Sequence, residues 1–419
     1  MHPAALLDLA TELLRKVLAF DAPADGVLSS FFHQHRGLGQ RERHTLAETT
    51  YAVLRRRLLF QHLAQSGRGP LERRLVLLGW QGGDDFVRTA LAPDEREWVG
   101  RARGVDLSTL PDRLRHNLPD WLADPLRSTL GDAEFWPLVE SLNAPAPLDL
   151  RVNALRARRE DVTVALRDAG VEAVATPHSP WGLRVQGKPA LNKLEVFSRG
   201  DVEVQDEGSQ LLALLTEARR GEMVVDFCAG AGGKTLALGA MMRNTGRLYA
   251  FDVSGHRLEA LKPRMARSGL SNVHPAQIAH ERDERIKRLA GKIDRVLVDA
   301  PCSGLGTLRR NPDLKWRQSP QAIEELRAKQ QAILTSAARL VKPGGRLVYA
   351  TCSLLEAENE AIAESFLASQ RDFVALPALE ALERQKLTGA AGLVRGSYLR
   401  LWPHRHATDG FFAAIWQKR

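Results

Sequence analysis

The sequence predicts a multidomain protein with an α-helical N-terminal domain, a small α+β middle module and a C-terminal, doubly wound α/β domain. Three observations lead to this prediction. The chain has 419 residues, which is more than one hydrophobic core usually organises. Apolar residues recur at helical spacing through the first 140 residues. After residue 220, strand-like and helix-like segments alternate, a pattern typical of a mostly parallel sheet covered by helices.

We expect the helical domain to span residues 1–140. Its first helix is indicated by apolar residues at helical spacing, namely Leu6, Leu7, Ala10, Leu13, Leu14, Val17 and Leu18. A second helical pattern runs from residue 27 to 63, and a short helix is expected at "LPDWLADPL", residues 118–126. The three arginines at 55–57 face either solvent or RNA phosphates, and the sequence leaves both interpretations open.

The middle module is expected over residues 141–215. Two prolines in "NAPAPLDL", residues 143–150, interrupt the helical period and mark its beginning. After "LDLRVNAL", a helix is expected over 159–169, and the pieces "VEAVATP" and "GLRVQG" are strand-like.

The C-terminal domain is expected over residues 216–419. Its candidate strands are "MVVDFC", "RLYAFD", "NVHPAQIA", "RVLVDAP" and "GGRLVYATC". The last segment, "SYLRLWPHRHATDGFFAAIWQ", predicts two antiparallel strands at one edge of the sheet. Doubly wound folds bind ligands at the carboxyl ends of their parallel strands, so the motifs that follow these strands are candidates for the site.

Composition and charge restrict the class of protein. Apolar residues make up 44% and charged residues 26% of the chain, the balance of a globular protein. Lysine and arginine outnumber acidic residues by 59 to 50, which suits a polyanionic partner without requiring one. The sequence has no membrane-length apolar run and no signal peptide pattern, so we expect a cytoplasmic monomer with no membrane association. Three cysteines without CxxC spacing indicate neither disulfides nor a metal site.

A glycine-rich turn in "VVDFCAGAGGKT", residues 224–235, connects a hydrophobic strand to a helix. Such a turn suits a phosphate, a dinucleotide or S-adenosyl-L-methionine (SAM). Cys228 occupies the first glycine position of the P-loop pattern, which weakens that interpretation, and the segment 230–233 gives GxGG instead of GxGxxG, which disfavours a dinucleotide. The carboxylate and ammonium groups of SAM, the third class, can lie along such a turn. Asp252, at the end of the next strand, either accepts hydrogen bonds from both ribose hydroxyls or caps the following helix.

Two of the three cysteines, Cys302 and Cys352, follow the fourth and fifth candidate strands, so both should lie at the edge that carries the turn. A single buried cysteine is usually an inert hydrophobic residue. A pair beside a cofactor turn suits methylation of cytosine C5, because a thiolate that adds to C6 makes C5 nucleophilic. Asp299 is placed to donate a hydrogen bond or proton at N3. The second cysteine would then take part in release.

These motifs resemble the Sun family of RNA (cytosine-5) methyltransferases, bacterial 16S ribosomal RNA branch. The resemblance covers most of residues 143–419 and rests on "DFCAGAGGKT", "AFDVSGHRL", "DRVLVDAPCSGLGTLRRNPDLKW", "VYATCSLLEAENE", "RVNAL", "VQDEGSQL" and "TDGFF". It implies a Rossmann-like SAM-dependent methyltransferase domain, a middle module that links the domains or binds RNA, and a NusB-like RNA-binding N-terminal domain. The implied cofactor is SAM and the implied partner is ribosomal RNA.

By this resemblance, Cys352 in the Thr-Cys motif is the expected nucleophile and Cys302 in the Pro-Cys motif assists release. The expected cofactor contacts are Cys228, Ala229, Gly230, Ala231, Gly232, Gly233, Lys234, Asp252, Arg257, His280 and Asp299. Lys234 contacts either cofactor or substrate, and Arg257 has the alternative of pairing with acids on its own helix. The sequence departs from the family twice: Gly230-Ala231 replaces Ala-Pro in the turn, and His280 stands where an aspartate usually lies near the adenine.

The expected RNA contacts are Arg151, Asn153, Arg309, Arg310 and Lys315. The last three, with Trp316, follow the Pro-Cys motif and form either a basic patch that holds RNA or a solvated loop. Arg151 and Asn153 contact RNA or join the middle module to the catalytic sheet. Two rival functions are a noncatalytic RNA-binding factor, which the intact cysteine pair disfavours, and an NTPase, which the missing P-loop glycine disfavours.

Overall fold

The computed structural model describes residues 1–419. The chain divides into two compact units. The first comprises Met1–Pro145 and Thr307–Pro320, and the second comprises Ala146–Gly306 and Gln321–Arg419. None of the helices combines the length and the apolar composition that a membrane span requires.

The first unit is helical. Its α-helices are Pro3–Leu18, Ala24–Gln34, Gln40–Arg55, Arg57–Ala64, Leu71–Gly79, Asp84–Arg88, Pro93–Arg103, Asp112–His116, Asp120–Leu130, Asp132–Leu142 and Leu314–Arg317, and a 3₁₀ turn spans Leu107–Thr109. Pro3–Leu18 buries the apolar face that its spacing predicted, which confirms the first helix. The pattern from residue 27 to 63 is divided among three helices, because Gly39 begins one and the backbone leaves the helical conformation at Arg56.

The segment Thr307–Pro320 is bound to the end of the helix Gln40–Arg55. Lys315 Nζ donates to the carbonyl of Arg55 at 2.8 Å, and Trp316 Nε1 donates to the carbonyl of Leu54 at 2.8 Å. The last carbonyls of a helix have no partner within the helix, so these two donors satisfy them. Arg55 Nη2 in turn donates to the carbonyl of Arg309 at 3.0 Å.

This arrangement corrects the interpretation of three basic residues. Lys315 is 3% exposed, Arg309 5% and Arg55 8%, so they neither form a solvated face nor offer their charges to RNA. Burial, assisted by the charge of Arg55, lowers the pKa of Lys315 well below its usual range. The prediction failed because charge alone does not reveal that a lysine caps a distant helix. Arg310 stays half-buried and Arg56 is exposed.

The middle module is a small antiparallel sheet with helices. Its strands are β1 (Leu148–Val152), β2 (Ala173–Ala175), β3 (Gly182–Val185) and β4 (Val202–Val204), in the order β2-β3-β1-β4. Its helices are Arg159–Asp168 and Glu195–Ser198, with a 3₁₀ turn at Leu191–Lys193. The α+β prediction is therefore confirmed.

Arg151 and Asn153 are structural in this module, which corrects their prediction as RNA contacts. Arg151 is 2% exposed and lies opposite Glu203 in the pairing of β1 with β4. Burial lowers the pKa of Arg151 to about 10, although the Glu203 carboxylate opposes that effect. Asn153 Nδ2 donates to the carbonyls of Gly200 and Ser268, both at 3.0 Å. Ser268 is the last residue of a helix of the C-terminal domain. Asn153 therefore joins the middle module to that domain, which was the alternative to its prediction as an RNA contact.

The C-terminal domain contains a nine-stranded sheet. Its strands are β5 (Met223–Asp226), β6 (Arg247–Asp252), β7 (Val273–Gln277), β8 (Ile293–Asp299), β9 (Val341–Thr351), β10 (Phe373–Leu376), β11 (Val394–Arg395), β12 (Tyr398–Leu401) and β13 (Phe411–Lys418). The order is β7-β6-β5-β8-β9-β13-β12-β11, and β10 also pairs with β13. Neighbours from β7 to β9 are parallel, which confirms the doubly wound prediction.

Helices and turns connect these strands. The α-helices are Glu207–Leu214, Gly233–Met241, Gly255–Ser268, Glu284–Lys287, Pro320–Ala338, Glu360–Ser369, Ala378–Arg384 and Pro403–His406, and the 3₁₀ turns are Leu305–Thr307, Glu356–Glu358 and Ala390–Leu393. The last two predicted strands, β12 and β13, are antiparallel as expected, but β13 is not at an edge. It is buried over Phe411–Trp416 and pairs with β9, because its apolar residues need cover on both faces.

We predict that Asn153→Ala destabilises the second unit by about 2 kcal/mol, because the buried carbonyls of Gly200 and Ser268 lose their donor. Thermal or urea unfolding measures this change. Asn192→Ala is the matched control, since Asn192 is exposed in the same module. Equal stability of Asn153→Ala and Asn192→Ala would show that Asn153 does not join module and domain.

Candidate active site

The candidate site lies at the carboxyl ends of β5, β6, β8 and β9. The glycine-rich turn follows β5, Asp252 ends β6, and Asp299 ends β8. Cys302 follows β8, and Cys352 comes directly after β9. Because these four strands are parallel neighbours, their carboxyl ends share one edge of the sheet.

Two glycines fix the path of the turn. Gly230 and Gly232 have φ angles of +56° and +85°, a region that other residues rarely adopt. A Cβ at Gly232 would lie 2.1 Å from Leu261 Cδ1, so the helix behind the turn also requires glycine there. Arg264, on the same helix as Leu261, donates from Nη1 to the carbonyl of Ala231 at 2.5 Å.

Asp252 supports this turn directly. Its Oδ2 accepts from the Gly230 N–H at 2.8 Å, and its Oδ1 accepts from the Ser254 N–H at 2.7 Å. The cap of the following helix is Ser254, whose side chain accepts from the Arg257 N–H. The helix-cap alternative for Asp252 is therefore wrong, because Ser254 occupies that position.

A cavity of about 1000 Å³ opens at this edge. Most of the predicted residues line it, namely Cys228, Ala229, Gly230, Ala231, Gly233, Lys234, Asp252, Arg257, His280, Asp299, Cys302 and Cys352. Gly232 lies behind the turn and is not among the lining residues. Apolar Val253 and Ile278 line the cavity together with Asp252, and a carboxylate combined with apolar groups suits a nucleoside with ribose hydroxyls and a flat base. The residues present therefore fit SAM.

Lys234 and Asp299 form an ion pair inside the cavity. Lys234 Nζ lies 2.7 Å from Asp299 Oδ2, and the Lys234 side chain is 11% exposed. Burial disfavours the ammonium ion, but the Asp299 carboxylate outweighs burial and raises the pKa of Lys234. Behind this pair, burial raises the pKa of Asp226 to about 7, with Asp299 contributing in the same direction and the Thr235 hydroxyl opposing. Lys234 thus stays charged beside Asp299 although it is mostly buried.

The sulfurs of Cys302 and Cys352 face each other at 3.4 Å. This separation allows one thiol to donate to the other sulfur. The hydrogen bond with Cys352 and burial both raise the pKa of the Cys302 thiol well above its usual range. The pair therefore favours a state in which Cys302 keeps its proton.

The third cysteine, Cys228, is a poorer nucleophile. Burial raises the pKa of its thiol, and the charges of Asp226, Asp299 and Asp252 add to the shift. Cys228 therefore lines the cavity as a neutral group.

Several lining residues were not singled out from the sequence. Gln205, Asp206 and Ser209 line the cavity at the start of the helix Glu207–Leu214, whose cap is Asp206. The capping pattern in "VQDEGSQL" was the available signal. Lys329 and Ile333 reach the cavity from the long helix Pro320–Ala338, and an exposed lysine on such a helix carries no sequence signal. His280 lines the cavity as predicted, next to Glu281.

Comparison with known proteins agrees with this geometry. Residues 213–417 match a family model described as 16S rRNA methyltransferase RsmB/F, and residues 118–192 match the ferredoxin-like domain of RsmF/B-like methyltransferases. A Synechocystis protein named as a probable ribosomal RNA small subunit methyltransferase B is 39% identical over 73% of this chain and 67% of its own length.

Two further comparisons extend over nearly the whole chain. A Mycobacterium tuberculosis protein whose name identifies it only as a methyltransferase is 33% identical over 97% of this chain and 94% of its own. The crystal structure of PH0851 superimposes with a TM-score of 0.80 at 27% identity, covering 100% of this chain and 99% of that one. The 419-residue chain accordingly belongs to the RsmB/F family of 16S rRNA methyltransferases.

Proposed function

We propose that this rRNA methyltransferase modifies C5 of a cytosine in small-subunit ribosomal RNA through a transient bond between Cys352 Sγ and C6. The observation that carries the proposal is the 3.4 Å separation of two sulfurs in a cavity that fits SAM. Cytosine C5 is a weak nucleophile. A thiolate that bonds to C6 pushes an electron pair toward N3 and makes C5 an enamine carbon.

Cys352 is the proposed nucleophile. A negative charge on Cys352 is one of the causes that raise the pKa of Lys234. The Lys234 ammonium is therefore close enough to attract a thiolate at Cys352. The pKa of Cys302 is raised by the hydrogen bond with Cys352 and by burial. Cys302 is therefore the less suitable of the two sulfurs for attack as a thiolate.

Asp299 is proposed to contact N3 of the base. Its Oδ2 accepts from Lys234 Nζ, so the proton that reaches N3 is proposed to come from the Lys234 ammonium by way of the Asp299 carboxylate, which leaves Lys234 neutral and Asp299 unchanged. Bound SAM supplies the methyl group from its sulfonium centre. After methyl transfer the C5 proton passes to solvent, the electron pair of the C5–H bond restores the C5–C6 double bond, and Cys352 leaves C6 as a thiolate. Cys302 is proposed to assist this release.

Five RNA contacts were predicted from the sequence. Four of them are buried, namely Arg151, Asn153, Arg309 and Lys315, so Arg310 is the one that we retain as a proposed RNA contact. The target base must leave its stack, because a stacked cytosine does not present C6 to a thiolate. The helical first unit is proposed as an RNA-binding domain. Its exposed Arg56 and half-buried Arg310 are its candidate phosphate contacts.

We predict that the protein transfers tritium from methyl-labelled SAM to cytosine in 16S rRNA, and that nuclease digestion yields labelled 5-methylcytidine. Label on another base would refute the cytosine assignment. Absence of any transfer, with SAM bound, would favour a noncatalytic RNA-binding protein.

The two cysteines are expected to behave differently. Cys352→Ala should abolish transfer and form no adduct, because it lacks the attacking sulfur. Cys302→Ala should accumulate a covalent protein–RNA adduct that persists in a denaturing gel, because release is slowed. SAM binding by both variants is the control for folding. An adduct in Cys352→Ala and none in Cys302→Ala would reverse the proposed roles.

A further inference from the structure

A buried carboxylate lies behind the cysteine pair. Glu358 ends the 3₁₀ turn Glu356–Glu358, shortly after Cys352, and its exposure is 0%. A fully buried carboxylate requires several hydrogen bonds or a counter-charge. All the hydrogen-bond donors to Glu358 are uncharged, so hydrogen bonds and not an ion pair stabilise this carboxylate.

The two carboxylate oxygens of Glu358 bind the residues that follow both cysteines. Oε2 accepts from the hydroxyls of Ser303 and Ser353, each at 2.5 Å. Oε1 accepts from the Ser303 N–H at 2.9 Å and from Gln330 Nε2 at 3.0 Å. Ser303 directly follows Cys302, and Ser353 directly follows Cys352. One carboxylate thus fastens both loops at the point where each carries its sulfur.

The other side of each cysteine is fastened by a neighbour of Glu358. Gln330 Nε2 also donates to the carbonyl of Pro301 at 3.0 Å, so Cys302 is held before and after. Asn359 Oδ1 accepts from the Thr351 hydroxyl, and Asn359 Nδ2 donates to the carbonyl of Ser353 at 3.0 Å. The Cys352 position is therefore also held on both sides.

The backbone brings the two loops together at a second point. The Gly306 N–H donates to the carbonyl of Cys352 at 2.8 Å. A Cβ at Gly306 would lie 2.8 Å from that oxygen and 2.1 Å from the carbonyl oxygen of Gly410, so the approach requires glycine. This contact joins Cys352 to the chain four residues after Cys302, whereas the contacts of Glu358 join the residues that directly follow each cysteine.

We propose that Glu358 is a positioning residue that holds the Cys302 and Cys352 loops together and sets the two sulfurs within reach of one pyrimidine ring. This inference rests on the proposed function, in which both sulfurs act on the same base. The chemistry of the group explains the residue type. A carboxylate accepts four hydrogen bonds at two oxygens, whereas the amide of glutamine has only one acceptor oxygen.

The charge of Glu358 has a second consequence for Cys302. After the hydrogen bond with Cys352, burial and the charge of Cys352, the Glu358 carboxylate also raises the pKa of the Cys302 thiol. The same residue that positions the sulfurs therefore also helps to keep the proton on Cys302. This effect can be measured without RNA.

The first test compares Glu358→Gln with Glu356→Gln. Glu356 lies in the same 3₁₀ turn, but it pairs with Arg395 at the surface and is the matched control. We expect kcat for methyl transfer to fall about tenfold to a hundredfold in Glu358→Gln, because a misplaced sulfur loses its attack geometry. The Kd for SAM should change by less than about twofold, and Glu356→Gln should match the unmodified protein.

The second readout separates positioning and charge from a general loss of structure. Iodoacetamide alkylation of Cys302, followed against pH by peptide mass spectrometry, should begin at lower pH in Glu358→Gln. The sign follows because removal of a nearby negative charge lowers the pKa of a thiol. Glu356→Gln should leave the profile in place.

The inference is overturned if folded Glu358→Gln keeps kcat within about twofold of the unmodified protein, or if its Cys302 alkylation profile does not move.

If Glu358→Gln does not fold, Ser353→Ala decides, since it removes one hydroxyl donor: a severalfold lower kcat with unchanged SAM affinity supports the inference, and unchanged kcat overturns it. If the unmodified protein transfers no methyl group to cytosine, the proposed function fails, whereas the alkylation profile still decides the role of Glu358.

Discussion

The parallel pairing of β8 with β9 is the constraint on which the site depends. In this pairing Asp299 lies opposite Ala350, so the chain leaves both strands at the same level of the sheet. Cys302 and Cys352 each follow within three residues of a strand end. A one-residue slip of register would exchange the two faces of a strand and separate the loops. The 3.4 Å distance between the sulfurs is thus a consequence of strand register as much as of local contacts.

Electrostatic balance is the second constraint. Asp252 and Asp299 line the cavity, and Lys234 is paired with Asp299 there. Burial and the charges of Asp226, Asp299 and Asp252 raise the pKa of Cys228, whereas the hydrogen bond with Cys352, burial and the Glu358 charge raise the pKa of Cys302. Thiolate formation is therefore disfavoured at both of these cysteines. In the proposed mechanism, the ion pair of Lys234 with Asp299 also keeps a proton within reach of the base.

The sequence predicted those parts of the molecule whose cause is local. The glycine turn, Asp252, Asp299 and both cysteines were found because each follows a recognisable strand, and parallel topology brings strand ends together. Lys315 and Arg309 were misinterpreted because their partners are carbonyl groups of a helix formed by residues 40–55, and no local pattern reveals such a distant contact. Asn153 was left between two roles for the same reason, since Ser268 belongs to another domain segment. The interior position of β13 also depends on which strand it pairs with, which composition does not specify.

The buried network around Glu358 shows how the two constraints meet. Burying a carboxylate with neutral donors is unfavourable unless every lone pair is used, and four donors from three residues meet that requirement here. Those donors come from the two cysteine loops and from the helix Pro320–Ala338, so the carboxylate is satisfied only when all three elements are in place. Any loop shift that separates the sulfurs would leave a buried charge short of donors, which is more costly than the loss of an ordinary hydrogen bond. The geometry of the cysteine pair is therefore coupled to the energetics of the fold itself.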